Sequence, residues 1–270
     1  QQWARFTGNL PKVAVHDIAI HPREGDLILA THGRGIYILD DLTPIRALTT
    51  ATMAKDVALM PSRATVRKIE ASVGSGFSGD EEFVGVNPPE SAAITYWLKK
   101  RHLFGDLKVE VYDRDGKLVS SVPGTKRVGI KRVNWPRRLP PPKMPPSTNL
   151  AFAFTGPRMP EGAYRIKLIK GKESLDGEVR LVVDPRSPHS DEDRAAQQEL
   201  AFALYQGLER LTWISDIAAS AGKAAAARAG TVGKRDALAT KLTKLAEKLE
   251  AFVNSLAATS EAGWLSGDEQ

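Results

Sequence analysis

Residues 107–122, LKVEVYDRDGKLVSSV, limit what this chain can fold into more than any other stretch. Leu107, Val109 and Val111 alternate with Lys108, Glu110 and Tyr112. A period of two puts one face of a strand in a core and the other in water. Asp115-Gly116 supplies residues that tolerate positive φ in a tight turn, and Leu118, Val119 and Val122 bring the chain back. A lone hairpin is marginal in water, so neighbouring residues must supply further strands to cover it.

The rest of the 270 residues allows this: 42% are apolar, enough for real cores in two or three small domains, and 26% are charged. There is no cysteine, which excludes disulfides, thiolate metal sites and cysteine nucleophiles. No apolar run approaches the roughly 20 residues of a membrane-spanning helix, and no signal peptide is visible in this chain. The abrupt ends, Gln1-Gln2-Trp3 and Asp268-Glu269-Gln270, read as cuts in a longer protein. Net charge is +6, with the excess of Lys and Arg in residues 95–186 and the remainder net acidic. A basic β-domain can meet an acidic polymer, with Lys126, Arg127, Lys131, Arg132, Arg137 and Arg138 as the contacts, or it can simply be a solvated face. Nucleic acid is not the expected partner.

Upstream of the hairpin, residues 13–20, 27–31 and 36–41 read as three short strands split by the turns His21-Pro22-Arg23-Glu24-Gly25-Asp26 and His32-Gly33-Arg34-Gly35. Strands at this spacing form a meander, the unit of a propeller blade or a barrel. Gly33 and Gly35 permit a tight turn from which Arg34 projects, either toward a ligand or as a clamp on nearby carbonyls and Asp40 or Asp41. His16, His21 and His32 carry no carboxylate pattern that would make them a metal set. No metal or cofactor is expected.

The run VAVHDIAIHPREGDLILATHGRGIYILDD resembles the closing blade of bacterial sortilin-like, BNR-repeat β-propeller proteins, in which a THGRGI-W/Y-x-L-D-D stretch ends the propeller. Here that stretch runs from Thr31 through His32, Gly33, Arg34, Gly35, Ile36, Tyr37, Ile38 and Leu39 to Asp40 and Asp41. The resemblance implies a secreted or periplasmic protein, with His32 and Arg34 as candidate ligand-binding residues at a propeller rim. Such proteins are often labelled glycosyl hydrolase-like because BNR repeats also occur in sialidases. The sialidase Asp-box is not met, since Gly33 stands where its Asp would be.

Residues 1–60 are then expected to form a last propeller blade and connector, 61–90 a linker loop, 91–186 a β-sandwich and 187–270 a helical hairpin. Residues 92–98, 128–135, 163–170 and 177–184 add strands to the central hairpin, and Trp135 reads as a core plug. The six prolines of residues 136–148 exclude a central strand there and suggest a rigid spacer. About seven short strands fit an immunoglobulin-like sandwich. Gly162, Tyr164 to Leu168, Gly171-Lys172 and Val182 to Arg186 resemble the small Ig-like domain that follows these propellers and occurs in flagellar hook-cap proteins.

Ser190-Asp191-Glu192-Asp193 is a helix start. Leu200, Leu204, Leu208, Leu211, Ile214 and Ile217 form one apolar stripe to about Ala227. Leu238, Leu242, Leu245, Leu249, Phe252 and Leu256 form a second with 4-3-4-3-4 spacing. The two helices should pair as an antiparallel hairpin, with residues 224–227 allowing close approach, and the hairpin should brace the sandwich or join a second copy or another protein. The fold class is therefore mainly β with a C-terminal α-helical hairpin.

No P-loop, dinucleotide fingerprint, HExxH or GxSxG is present. The clustered carboxylates, Asp40 with Asp41 and Glu81 with Glu82, do not make a glycosidase pair, the first two pointing to opposite sides of a strand. The expectation is a non-enzymatic structural and interaction fragment. The alternatives are a glycoside hydrolase fragment whose active site lies on other blades and, more weakly, a polyanion-binding module.

Overall fold

A computed structural model of the chain describes residues 10–69, 90–144, 155–232 and 236–256. Glu81, Glu82 and residues 70–89 of the expected linker loop lie outside the described residues. The chain divides into two compact units, residues 1–137 with 161–187, and residues 138–160 with 188–270. Mainly β structure precedes a C-terminal helix pair.

The first unit opens with β1 (Val15–Ile20), β2 (Leu27–Thr31) and β3 (Ile36–Leu39), an antiparallel meander in that order. Two short helices follow: α1 (Thr43–Arg46), with Pro44 in its first turn, and α2 (Thr50–Ala54), capped by the Thr49 side chain. The residues read as connector and as linker loop each supply a strand instead. β4 (Val57–Leu59) pairs with β6 (Ala92–Leu98), while β5 (Thr65–Arg67) runs parallel to the far end of β11 (Glu173–Val183). The chain changes sheets between Met60 and Ser62, where Pro61 cannot donate to a ladder. Three-residue strands are too short to show a period, so the sequence carries no signal for either.

β7 (Leu107–Tyr112), β8 (Leu118–Pro123), β9 (Gly129–Trp135) and β10 (Gly162–Lys170) complete the sheets. One sheet has the order β4-β6-β9 and the other β5-β11-β10-β7-β8. The alternation in β7 is realised, with Leu107, Val109 and Val111 buried and the residues between them half-buried on the outer face. The two inner faces meet where the Trp135 ring stands edge-on to Tyr164 at 4.9 Å, with both side chains buried. At Gly177 a Cβ would lie 2.3 Å from Leu59 Cδ2, so β11 reaches the opposite sheet more closely than any larger residue permits. The β7–β8 turn is held by Asp113, whose Oδ1 accepts from the backbone N–H of Asp115 and of Lys117, with Gly116 at φ 78°.

The second unit is built on α3 (Asp191–Thr231), 41 residues long, and α4 (Ala237–Leu256), 20 residues. Ser190 and Asp193 form a reciprocal capping box at the start of α3. The proline-rich segment is not a free spacer. Residues 138–144 and 155–160 pair through Leu139 N–H to Pro157 O and lie against α3, where Thr212 Oγ1 donates to Lys143 O and Gln198 Nε2 to Arg158 O.

The apolar stripes of the two helices are not the seam. On α4 the residues turned inward are Ala239, Leu242, Ala246, Leu249, Val253 and Leu256, whereas Leu238, Leu245 and Phe252 stay exposed. On α3, Thr212, Ser215, Ala218 and Ala225 are buried, while Leu200, Leu204, Ile214 and Ile217 are exposed. Small residues win because they let the backbones approach. A Cβ on Gly222 would sit 3.5 Å from Leu249 Cβ. Of residues 224–227 only Ala225 takes part in this approach.

Candidate functional site

The residues singled out near the meander sit on one turn. Gly33 and Gly35 both have positive φ (71° and 79°), and Thr31 closes the loop by donating its N–H and its Oγ1 to Gly35 O. His32 donates its N–H to Ala14 O, which brings its ring to 4.9 Å from that of His16, both exposed. His21 is elsewhere, its Nδ1 accepting the Glu24 N–H in the β1–β2 turn. Among the described residues no group of three or more His, Asp or Glu side chains is placed to hold a metal.

Arg34 is exposed and does not clamp the strand end. That work falls to Arg63 and Asp26. The Arg63 guanidinium donates to Glu24 O and to Asp26 Oδ1 at 2.9 Å, and Asp26 Oδ1 also accepts the Asp41 N–H at 2.8 Å. Asp41 is buried at φ 55°, and its Oδ1 accepts the Thr43 N–H. Arg132 Nη2 donates to Asp40 O. Asp41 is thus spent on backbone bonds while Asp40 is exposed, and no carboxylate pair faces a common cleft there. The Arg63 contact, 37 residues from Asp26, carries no local sequence signal.

The six basic candidates do not form one patch. Lys126 and Arg127 are exposed before β9, whereas Lys131 and Arg132, adjacent in β9, face opposite sides. Arg137 is 5% exposed and donates to Val66 O and Glu90 O, with the Glu90 carboxylate 3.7 Å away. Arg138 belongs to the other unit, where it donates to Gly156 O.

Displaced titrations fall on structural groups. The Arg186 fork, with the Arg186 and Ile69 backbone N–H groups, holds the buried Asp184 carboxyl well below the usual carboxylate range. Lys108 and then the Tyr112 hydroxyl lower Glu110 on the outer face of the sandwich. Burial raises Tyr164 and Tyr96. The causes of these shifts are burial and bonds within the folded strands and their ends, so they reflect folding.

What distinguishes the meander is its surface. In the register of the sheet, Ile18, Ile20, Leu27, Leu29, Tyr37 and Leu39 share one face, and Asp17, Ala19, Ile28, Ala30, Ile36 and Ile38 share the other. Apart from Asp17 at one edge both faces are apolar, and both are open: Ile18 is 63% exposed on one and Ile36 69% on the other. Among the described residues nothing covers either face to the extent that the sandwich core is covered.

No family model matches the chain, and no curated protein matches it. Among solved structures, a mutant alpha-2-macroglobulin from Salmonella is similar at 14% identity and a TM-score of 0.27. That alignment covers 60% of this chain and 9% of the macroglobulin's length. CopC from Methylosinus trichosporium OB3b is similar at 12% identity and a TM-score of 0.21, covering 40% of this chain and 86% of CopC. Likenesses this slight carry no argument about fold or function.

Proposed function

We propose that this chain is a structural and interaction part of a secreted or periplasmic sortilin-like propeller protein and does no chemistry itself. Its meander serves as one BNR-type blade between neighbouring blades, and its sandwich, of immunoglobulin-like type, braces that blade. The observation that carries the reading is the meander apolar on both faces. A sheet with one face on a core and one in water alternates apolar and polar residues, whereas a sheet stacked between two others is apolar throughout. Propeller blades are stacked in this way. Arg63 and Arg132 support the bracing role, because each fastens the segment around the meander to residues beyond it.

The experiment compares Ile36→Lys in this chain and in the product of its complete reading frame. Ile36 is open here, so the substitution should leave the melting temperature of the 270-residue chain unchanged. In the complete product it should lower that temperature by several degrees, because a lysine would be buried between blades. Equal behaviour in both proteins would remove the propeller reading. Glycan turnover that a single acidic substitution within this chain abolishes would remove the non-enzymatic one.

A further inference from the structure

The long helix α3 extends past the end of α4, and among the described residues none covers the apolar stripe it carries there. Gly222 lies against Leu249 and Ala246, so α4, running antiparallel, ends at Leu256 level with about residue 215 of α3. N-terminal to that level the open apolar stripe that borders the seam on α3 runs through Leu200, Leu204, Gly207, Leu211 and Ile214, with 4-3-4-3 spacing. Leu200 and Leu204 are each 61% exposed, and Leu211 is half-buried. Among the described residues, 138–144 and 155–160 do not take this line, because Gln198 and Thr212, which bond them, lie on a neighbouring face about 100° away. Gly207 is the anomaly. It sits in the middle of a 41-residue helix, where glycine costs helix stability relative to alanine, yet a Cβ there would meet nothing within 4 Å.

A second copy accounts for these features together. We propose that two molecules pair antiparallel through this stretch of α3, about a twofold axis between Leu204 and Gly207. Leu200 of each copy would then pack on Leu211 of the other, and Leu204 would enter the space left open at Gly207. The charges fit the same axis. Glu199 and Arg210, both exposed, each stand one residue before a layer leucine, on the same side of the seam. In an antiparallel pair like flanks meet, so Glu199 of one copy faces Arg210 of the other at both ends of the contact. A parallel pair would set Glu199 beside its own counterpart. The contact spans about three turns, less than a standard interface, so association should be weak and dependent on concentration. The proposal does not rest on the propeller reading.

Sedimentation velocity of the 270-residue chain across a hundredfold range of concentration tests it, with far-UV circular dichroism confirming that each variant keeps its helices. The parent chain should pass from monomer to dimer. Leu204→Glu should raise the dissociation constant more than about tenfold. Glu199→Arg and Arg210→Glu should each weaken the dimer, and the double exchange should restore it. A monomer at every concentration would overturn the proposal, as would a dimer indifferent to Leu204→Glu or a double exchange no better than the singles. A monomer that Leu204→Glu unfolds would mean that another part of the chain covers the stripe, which also overturns it.

Discussion

Asp184 ends the long strand of the sandwich, and its carboxylate is 2% exposed yet fully bonded: to the Arg186 fork, to the Arg186 N–H and to the Ile69 N–H. The unfolded chain protonates such a group near pH 4. The folded chain does so only well below that, because the charged form is the one these donors hold. Its stabilisation is therefore complete above about pH 4 and is lost as the pH falls through the folded value. Asp184→Asn should lower the melting temperature at pH 7 and flatten its decline between about pH 4 and pH 2, as read by calorimetry. At the other end of the unit, Arg63→Ala removes donors to Asp26 and Glu24 from a half-exposed side chain, at a cost of about 1 kcal/mol. Arg34→Ala should stay within about 0.5 kcal/mol of the parent, since Arg34 is exposed and clamps nothing. Chemical denaturation separates the two. Residue types made the Gly33-Arg34-Gly35 turn legible, but the clamp depends on a residue 37 positions from its carboxylate, and no local pattern encodes that.

At the scale of elements, hydrophobic period located the strands and helices well and the helix seam less well. Leu242, Leu249 and Leu256 face α3 as the spacing predicts, but Leu238, Leu245 and Phe252 yield their places to Ala239, Ala246 and Val253. An apolar face this wide holds two candidate seams, and the smaller residues decide because they admit the closer approach of backbones. Leu249→Ala should cost about 2 kcal/mol and Leu245→Ala under about 0.5, measured by urea denaturation followed at 222 nm. Seams of equal cost would mean that the helices rotate about their axes. Trp135, fully buried against Tyr164, was recognisable as a core residue from its place in an alternating strand.

For the molecule as a whole, the chain leaves the first unit at residue 137, lays residues 138–144 and 155–160 against α3, and returns at residue 161. The helical unit is therefore discontinuous in sequence. Cutting the chain after residue 187 should leave the sandwich folded, with the near-ultraviolet dichroism of Trp135 retained. It should also strip residues 138–160 of their bonds to Gln198 and Thr212, so that limited proteolysis gains cuts within that segment. Resistance there equal to that of the whole chain would mean that residues 138–144 and 155–160 hold their structure without α3.

The sequence alone determined the mainly β character, the meander, the central hairpin and the two C-terminal helices, because each rests on a period or turn chemistry contained in a few neighbouring residues. Only the tertiary structure decided what long-range contact sets. It split β4 and β5 between two sheets, laid the proline-rich segment on α3 and chose the alanine seam over the leucine one. It also buried Arg137 while leaving Arg34 open, and among the described residues left both faces of the meander exposed. Residue type fixes what a side chain can bond to, but which partner arrives is settled by packing between segments tens of residues apart, where area and close approach outweigh local preference.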